Sequence, residues 1–205
     1  MRGFILDLRK HRDEDLILTV LTPDRLMALY RFYGVRHSPL QLGHKIDFVS
    51  ENDPFFMARL RQVSHLGFPW LFEAPKVRAW QQFMQLLHKH LKGTEEIDGF
   101  YYDLLEFAAT ALCKQEAKRA LIEAAVALFA HEGRLQTDFR CLACEGRIEE
   151  THTALTRALM PVHTGCVYQE GFELDKVKRL FETGETILFE EDEITRLWRI
   201  LEEGL

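Results

Sequence analysis

The hydrophobic pattern of the first 70 residues predicts short β-strands. Apolar and polar positions alternate over short stretches that are rich in β-branched and aromatic residues and are separated by polar or Gly/Pro turns. The predicted strands are Phe4–Leu8, Asp15–Thr22, Arg25–Gly34, His44–Ser50 and Ala58–Leu66. Because no helical stretch intervenes, we expect a small closed barrel in which alternate side chains face outward.

From Ala74 onward the hydrophobic period becomes helical. One apolar stripe consists of Val77, Trp80, Phe83, Leu87 and Leu91, and a second of Tyr101, Leu104, Leu105, Ala108 and Leu112. The segment Glu116–Glu132 is apolar almost all round, which predicts a buried central helix that Gly133 ends. Cys113, which ends the second stripe, is interpreted as a small core residue rather than a ligand.

Composition places the chain among globular proteins. Its 205 residues are 47% hydrophobic and 28% charged, and no segment approaches the roughly 20 apolar residues of a membrane span. The first residues lack the apolar run of a signal peptide, so we expect a cytoplasmic protein without a membrane partner. In that reducing compartment, four cysteines favour metal binding or redox chemistry over disulfides.

The charge is unevenly distributed along the chain. The net charge is −6, yet residues 1–92 hold 14 Lys or Arg against 9 Asp or Glu, a net +5, and residues 93–205 carry −11. This asymmetry predicts that the N-terminal part can bind phosphates and that the C-terminal part repels them.

Basic residues beside aromatic ones on an outward barrel face favour binding of single-stranded nucleic acid, because cations neutralise phosphates and rings stack on bases. Strand alternation predicts that Arg31 and Tyr33 share one face and that Arg59, Arg61 and His65 align on the fifth strand. The expected contact residues are Arg31, Tyr33, Arg36, Lys45, Arg59 and Arg61, with Arg9, Lys10 and Arg12 in reserve. The alternative is that these are ordinary solvated barrel residues.

Two pairs of metal-ligand residues lie in the C-terminal half. Cys141 and Cys144 are followed, after 18 intervening residues, by His163 and Cys166. Two loops that each supply two ligands from thiolate or imidazole are typical of a structural zinc site with no position open for water. A redox CxxC follows a strand and leads into a helix, whereas this one follows a helix, and the H-x-E motif of zinc deaminases is absent.

No motif indicates catalysis. The chain has no Gly-rich phosphate loop, nucleophile elbow or HExxH motif, so we expect a protein that is not an enzyme. The acidic run Glu190–Glu193 precedes apolar residues at helical spacing and is interpreted as the first turn of a helix, where the dipole favours acids.

Several stretches resemble the RecO family of bacterial DNA repair and recombination mediators. They are "GFILDLRKHRDEDLILTVLTPDRLMALYRFYGVR", with Glu14, Asp15, Leu16, Ile17, Thr19, Leu21 and Thr22 followed by Gly34 and Arg36, and "LFAHEGRLQTDFRCLACEG" at the passage into the zinc region. The resemblance covers most of the chain in matching order. Members that bear zinc typically use four cysteines, and His163 stands in the third ligand position here.

The resemblance implies an α+β protein with an N-terminal five-stranded OB-fold barrel, a helical domain and a small zinc-binding subdomain. The domains expected are 1–72 for the barrel, 73–133 for the helices, 134–190 for the zinc subdomain and 191–205 for a C-terminal helix that packs on the helical domain. The implied activity is to bind single- and double-stranded DNA, to anneal complementary strands, and with RecR to help load RecA onto DNA covered by single-strand-binding protein (SSB).

Two further expectations concern protein partners. We expect the acidic SSB tail to dock at the basic cluster of Lys114, Lys118 and Arg119. The alternative function is a zinc-stabilised adaptor whose barrel binds a protein and not DNA; a metal-dependent nuclease would need a carboxylate cluster that the sequence does not show.

Overall fold

The structure, a computed structural model, describes residues 1–12, 14–37, 40–52, 54–94 and 97–205. These residues form two compact units, Met1–Lys114 and Gln115–Leu205. The expected four-part division of the chain stays a prediction. Within the described ranges, no helix is long and apolar enough to cross a membrane.

The first unit contains the barrel that the alternating pattern predicted. Its strands are β1 (Arg2–His11), β2 (Asp15–Leu21), β3 (Leu26–Arg31), β4 (Lys45–Glu51) and β5 (Arg59–Leu66). They close in the order β1-β2-β3-β5-β4, with β4 antiparallel to β1 and a parallel contact between β3 and β5. A closed five-stranded barrel with this connectivity is the oligonucleotide-binding arrangement, so the predicted α+β fold is confirmed.

The barrel core is filled by the inward positions of all five strands. Its fully buried members include Ile5, Leu18, Val20, Leu29, Ile46, Phe48 and Leu60. A bulge interrupts this alternation in β5, where Gln62 has a positive φ of 47° and the pairing with β4 shifts. Val63 packs on the core after this bulge, so His65 does not continue the face of Arg59 and Arg61 as predicted.

A helix covers one end of the barrel. Helix α2 (Ala74–His90) places the indole of Trp80 6.0 Å from the ring of Phe4 at the start of β1, and the indole N–H donates to the Gly43 carbonyl at 2.8 Å. Gly43 has φ +82°, and a Cβ there would lie 2.6 Å from the indole ring, so glycine is required. Helix α3 (Phe100–Ala111) belongs to the same unit.

The opposite end of the barrel is where β1, β3 and β4 end and β2 and β5 begin, and we call it the open end. The pairings His11 with Asp15, Tyr30 with Arg59, and Glu51 with Arg59 bring these strand ends together. The short helix α1 (Gly34–His37) follows β3 there and is hydrogen-bonded through Val35 N–H to the Glu14 carbonyl. In OB folds the β1–β2 and β4–β5 connections, both at this end, contact the ligand.

The second unit is built around α4 (Ala117–His131), which is buried as the apolar segment Glu116–Glu132 predicted. Gly133 follows with φ 66°, the left-handed conformation typical of glycine after a helix. The further helices are α5 (Thr164–Val167), α6 (Leu174–Thr183) and α7 (Glu191–Glu202), and a small sheet joins β6 (His152–Thr156), β7 (Met160–Val162) and β8 (Phe172–Glu173) in the order β7-β6-β8.

Two local predictions have different outcomes. Glu190 and Glu193 form a capping box at the start of α7, in agreement with the interpretation of the acidic run as a first helical turn. The prediction that Cys113 is a core residue is wrong, because this thiol is exposed and points back to the Ala109 carbonyl at 3.7 Å. The apolar stripe of α3 ends one residue earlier, at the buried Leu112.

Candidate nucleic-acid interface and metal centre

Large aromatic side chains are exposed at the open end of the barrel. Their exposed fractions are 44% for Phe32, 60% for Tyr33, 86% for Phe55 and 73% for Phe56. A cavity of about 370 Å³ lies among them, and its lining residues are His11, Arg12, Tyr30, Phe32, Phe56, Met57 and Arg59. Exposed rings beside cations at this end can stack on bases and neutralise phosphates.

A network of ring and hydrogen-bond contacts positions these aromatic residues. The Tyr30 ring packs edge-on against Phe32, with 4.8 Å between centroids, and its hydroxyl donates to Asp15. The N–H of Tyr33 donates to the same carboxylate at 2.8 Å. The bond from Tyr30 is the main cause that lowers the pKa of Asp15, so this carboxylate stays ionised at neutral pH and holds both residues in place.

Of the predicted contact residues, Tyr33 is one of the exposed rings at the open end and Arg59 lies beside another. The guanidinium of Arg59 lies over the Phe32 ring, 5.4 Å from its centroid. Tyr33 does not extend β3 as predicted but follows it in a left-handed turn with φ 51°. Arg12, held in reserve, borders the cavity, so a residue of the β1–β2 connection joins the group.

Three other predicted arginines are engaged by the protein itself. Arg31 donates through Nη1 to the Leu60 carbonyl at 2.9 Å and so ties β3 to β5. Arg36 pairs with Glu14, and Arg61 pairs with Glu51 at 3.1 Å. The side chains of Arg36 and Arg61 remain 64% and 49% exposed, so a phosphate can compete for them.

Lys45 lies away from the open end, at the start of β4. Its amine pairs with Glu106 of α3 and lies 5.7 Å from the Phe4 ring centroid, and its side chain is only 14% exposed. These contacts indicate that Lys45 joins the barrel to α3. The reserve residue Arg9 pairs with Asp7 at 2.9 Å.

Sequence reasoning missed Phe32 and the pair Phe55 and Phe56. Strand alternation predicted that Arg31 and Tyr33 face outward, and it therefore placed Phe32, which lies between them, on the opposite face. The signal for the other two was present in "DPFFM", where two adjacent phenylalanines and a methionine interrupt a polar connection just before β5. Apolar residues concentrated in a loop are more typical of a binding surface than of a core.

The predicted metal ligands are brought together in the second unit. The ligand atoms of Cys141, Cys144, His163 and Cys166 all lie within 4.8 Å of one another, so the cluster can hold a metal ion. The first two residues lie in a turn closed by the Cys141 N–H and the Gly146 carbonyl at 2.8 Å, and Cys166 belongs to α5. Sulfur and nitrogen ligands of this kind are the ones that zinc prefers.

His163 is oriented for coordination through Nδ1. This atom lies 3.2 Å from the sulfur of Cys144 and 4.0 Å from that of Cys166, whereas Nε2 lies 3.2 Å from the Arg147 carbonyl. A carbonyl that accepts the proton of one ring nitrogen fixes the tautomer and leaves the other nitrogen as the ligand atom.

The electrostatics of the cluster fit a cation. Burial tends to raise the pKa of Cys141, but N–H groups of His163, Cys144 and Ala143 outweigh it and lower this pKa to about 6. Desolvation within the cluster and the neighbouring sulfurs of Cys141 and Cys144 raise the pKa of Cys166 to about 11, because a second thiolate is repelled by the first. A bound divalent cation removes this conflict, since it favours all three thiolates at once.

The basic cluster suggested for partner docking is largely occupied within the second unit. Arg119 donates to the carbonyls of Thr186 and Phe189, each at 2.8 Å, and pairs with Glu191. Lys118 donates to the Thr195 hydroxyl at 3.1 Å. Lys114 is exposed and belongs to the first unit. Docking at these residues stays a prediction.

Comparison with known families identifies the barrel. Residues 1–71 match the family model of the RecO N-terminal domain. The barrel is therefore similar to RecO N-terminal domains. The resemblance seen in the sequence is confirmed over the barrel. No curated protein matches the chain.

Proposed function

We propose that this protein is a DNA repair and recombination mediator that binds single- and double-stranded DNA and anneals complementary strands. With RecR, it helps to load RecA onto SSB-covered DNA in the cytoplasm. The observation that carries the proposal is the open end of a RecO N-terminal barrel, where Phe32, Phe55 and Phe56 are exposed beside Arg12 and Arg59.

The chemistry of the open end favours single strands. Stacking on an aromatic ring contributes about 1–3 kcal/mol per base and tolerates any sequence, because every base has a π-face. The cations supply the salt-dependent part of the affinity without reading a sequence. A surface of this kind holds unpaired bases outward, as annealing requires.

The proposed activity needs no nucleophile, nucleotide site or open metal position. Annealing requires that phosphate repulsion be reduced and that two strands be held together, and both follow from binding. We therefore propose that the protein is not an enzyme, and that RecR and SSB are protein partners. Duplex formation from complementary oligonucleotides without ATP tests this, since DNA that is cut or altered, with no faster annealing, would overturn it.

The binding site is tested by replacing Phe32 and Phe56 together with Ala. Fluorescence anisotropy with single-stranded DNA should show an affinity at least about tenfold lower, as expected for the loss of one or two stacked bases. Phe107→Ala is the matched control, because Phe107 is 60% exposed on α3, away from the open end. Equal affinity of the two variants would exclude the open end as the DNA site and favour the protein-binding adaptor.

We further propose that the metal cluster binds zinc with a structural role. Four protein ligands leave no coordination position for water, so the ion does not act on a substrate. Its ligands come from two segments that are separated in sequence by β6 and β7, which it holds against each other. Such a site contributes to folding directly.

A further inference from the structure

A second cationic surface lies on the outward side of α2. The exposed positions of the helix and of the turn that follows recur at spacings of four and three residues, so they lie on one helix face. They are Arg78, Gln82, Gln85, Lys89 and Lys92, and we call them the α2 outer face. The side chains of Arg78, Gln85 and Lys89 have no hydrogen bond or ion pair with any residue that the structure describes.

The charge of this face is not explained by helix stability. The helix dipole favours acids in the first turn, as α3, α6 and α7 have them, but α2 carries none and has Lys76 there; α4 likewise carries none. Lys89 near the C-terminus fits the dipole, whereas Arg78, close to the N-terminus, opposes it. No Asp or Glu occurs between Ala74 and Thr94. Glu73, which precedes the helix, is paired with Lys76 at 3.0 Å.

The α2 outer face and the open end belong to opposite ends of the barrel. The inner side of α2 covers the end where β1 begins, through Trp80 and Phe4, and the exposed aromatic residues lie where β1 ends. A strand bound at one end therefore leaves the other end accessible. Two separate cationic surfaces on one unit can hold two strands.

We propose that the α2 outer face is a second nucleic-acid site, which binds the phosphate backbone of a second strand; this rests on the proposed function. The stretch from Arg78 to Lys89 spans about 17 Å of helix, along which one strand of a B-form duplex carries about five phosphates. The amides of Gln82 and Gln85 lie between the cations, and amides bond readily to phosphate and sugar oxygens. The face has no large apolar side chain, which an acidic peptide would need for a lasting contact.

The test is the number of strands that one chain binds. A short labelled oligothymidine, which cannot pair with itself, is titrated into protein at low salt and at concentrations far above the dissociation constant. The wild type should bind two strands per chain, and Arg78→Glu combined with Lys89→Glu should bind one. This variant should also anneal complementary strands about tenfold more slowly, because two cations that contact phosphates are replaced by acids that repel them.

Arg179→Glu combined with Arg199→Glu is the matched control, since both arginines are exposed on helices of the second unit and the change in net charge is the same. This control should still bind two strands. One strand per wild-type chain, or a control that also falls to one, would overturn the second site. The second site would also be overturned if polyglutamate of equal charge displaced the labelled strand as strongly as unlabelled DNA does. That result would favour protein docking instead.

The proposed function fails by a different result. If replacing Phe32 and Phe56 leaves DNA binding unchanged, the open end is not the primary site, whatever the α2 outer face does. If replacing Phe32 and Phe56 reduces the number of bound strands by one and the α2 variant does not change that number, the primary site is supported and the second site is excluded.

Discussion

The guanidinium of Arg59 lies over the ring of Phe32, with 5.4 Å between its central carbon and the ring centroid. The two residues come from β5 and from the turn after β3, and the parallel contact of Tyr30 with Arg59 brings these strands together. A cation and an aromatic face are thus held next to each other at the open end, where each can act on a different part of a nucleotide.

Phe32 and Arg59 should contribute to DNA binding in separable ways. Phe32→Leu should weaken the binding of single-stranded DNA by about 1–3 kcal/mol without changing its salt dependence, because stacking involves no counterion. Arg59→Gln should reduce the slope of log K against log salt by about 0.7, the value for one phosphate contact on a single strand. Anisotropy titrations at several salt concentrations measure both effects.

Arg61→Gln serves as the comparison for Arg59→Gln. Arg59 lines the cavity at the open end and Arg61 does not, and Arg61 is paired with Glu51 at 3.1 Å, so its replacement should change the slope less. A slope change as large as that of Arg59→Gln would extend the contact face along β5.

Lys45 should act on stability and not on DNA affinity, contrary to its predicted role. Lys45→Gln leaves the partly buried Glu106 carboxylate without its cation and removes the contacts with the Phe4 and Tyr102 rings. The free energy of unfolding should fall by about 1–3 kcal/mol, between the values for exposed and buried pairs. Chemical denaturation measures this, with Arg179→Gln as an exposed control that should change nothing. If Lys45→Gln lowers DNA affinity and leaves stability unchanged, the prediction that Lys45 contacts DNA would be supported instead.

Arg119 should behave as a structural residue of the second unit. Its replacement by Ala removes donors from the carbonyls of Thr186 and Phe189, and the free energy of unfolding should fall by about 2–3 kcal/mol. Lys cannot reproduce the forked geometry, so Arg119→Lys should restore only part of the loss. Lys114→Ala, in the same basic stretch, should leave stability unchanged. If an acidic, apolar-ended peptide binds the wild type and not Lys114→Ala, the docking prediction for this cluster gains support.

The metal cluster should bind one zinc ion per chain. Elemental analysis should find it in the wild type and in Cys113→Ser, whose thiol lies outside the cluster, but not at full occupancy in Cys144→Ser or Cys166→Ser. His163→Cys should keep the metal, because a fourth thiolate is an equally good ligand, whereas His163→Ala should lose it. Loss of metal should lower the unfolding temperature of the second unit and leave the barrel folded. Full zinc in His163→Ala would remove His163 from the ligand set.

Local patterns in the sequence were enough to predict the main elements. Alternation of apolar residues located all five barrel strands, and the almost wholly apolar Glu116–Glu132 segment located the buried α4. The spacing of Cys141, Cys144, His163 and Cys166 predicted the metal cluster, because short ligand pairs carry their geometry with them. In each case the pattern that made the prediction is local: an alternation or helical period over a short segment, or two ligand residues separated by two others.

The tertiary structure decided which of the basic residues are engaged by the protein itself. Arg31, Lys45 and Arg119 looked like surface cations in the sequence, but each is bound to a carbonyl or carboxylate from a distant segment. The bulge at Gln62 moved His65 off the face of Arg59, and the closure of the barrel brought Phe32 and Phe56 to one end. The physical reason is that the secondary-structure period is set by neighbours in the chain, whereas the partner of a long charged side chain is set by whatever the fold places within a few ångströms of it.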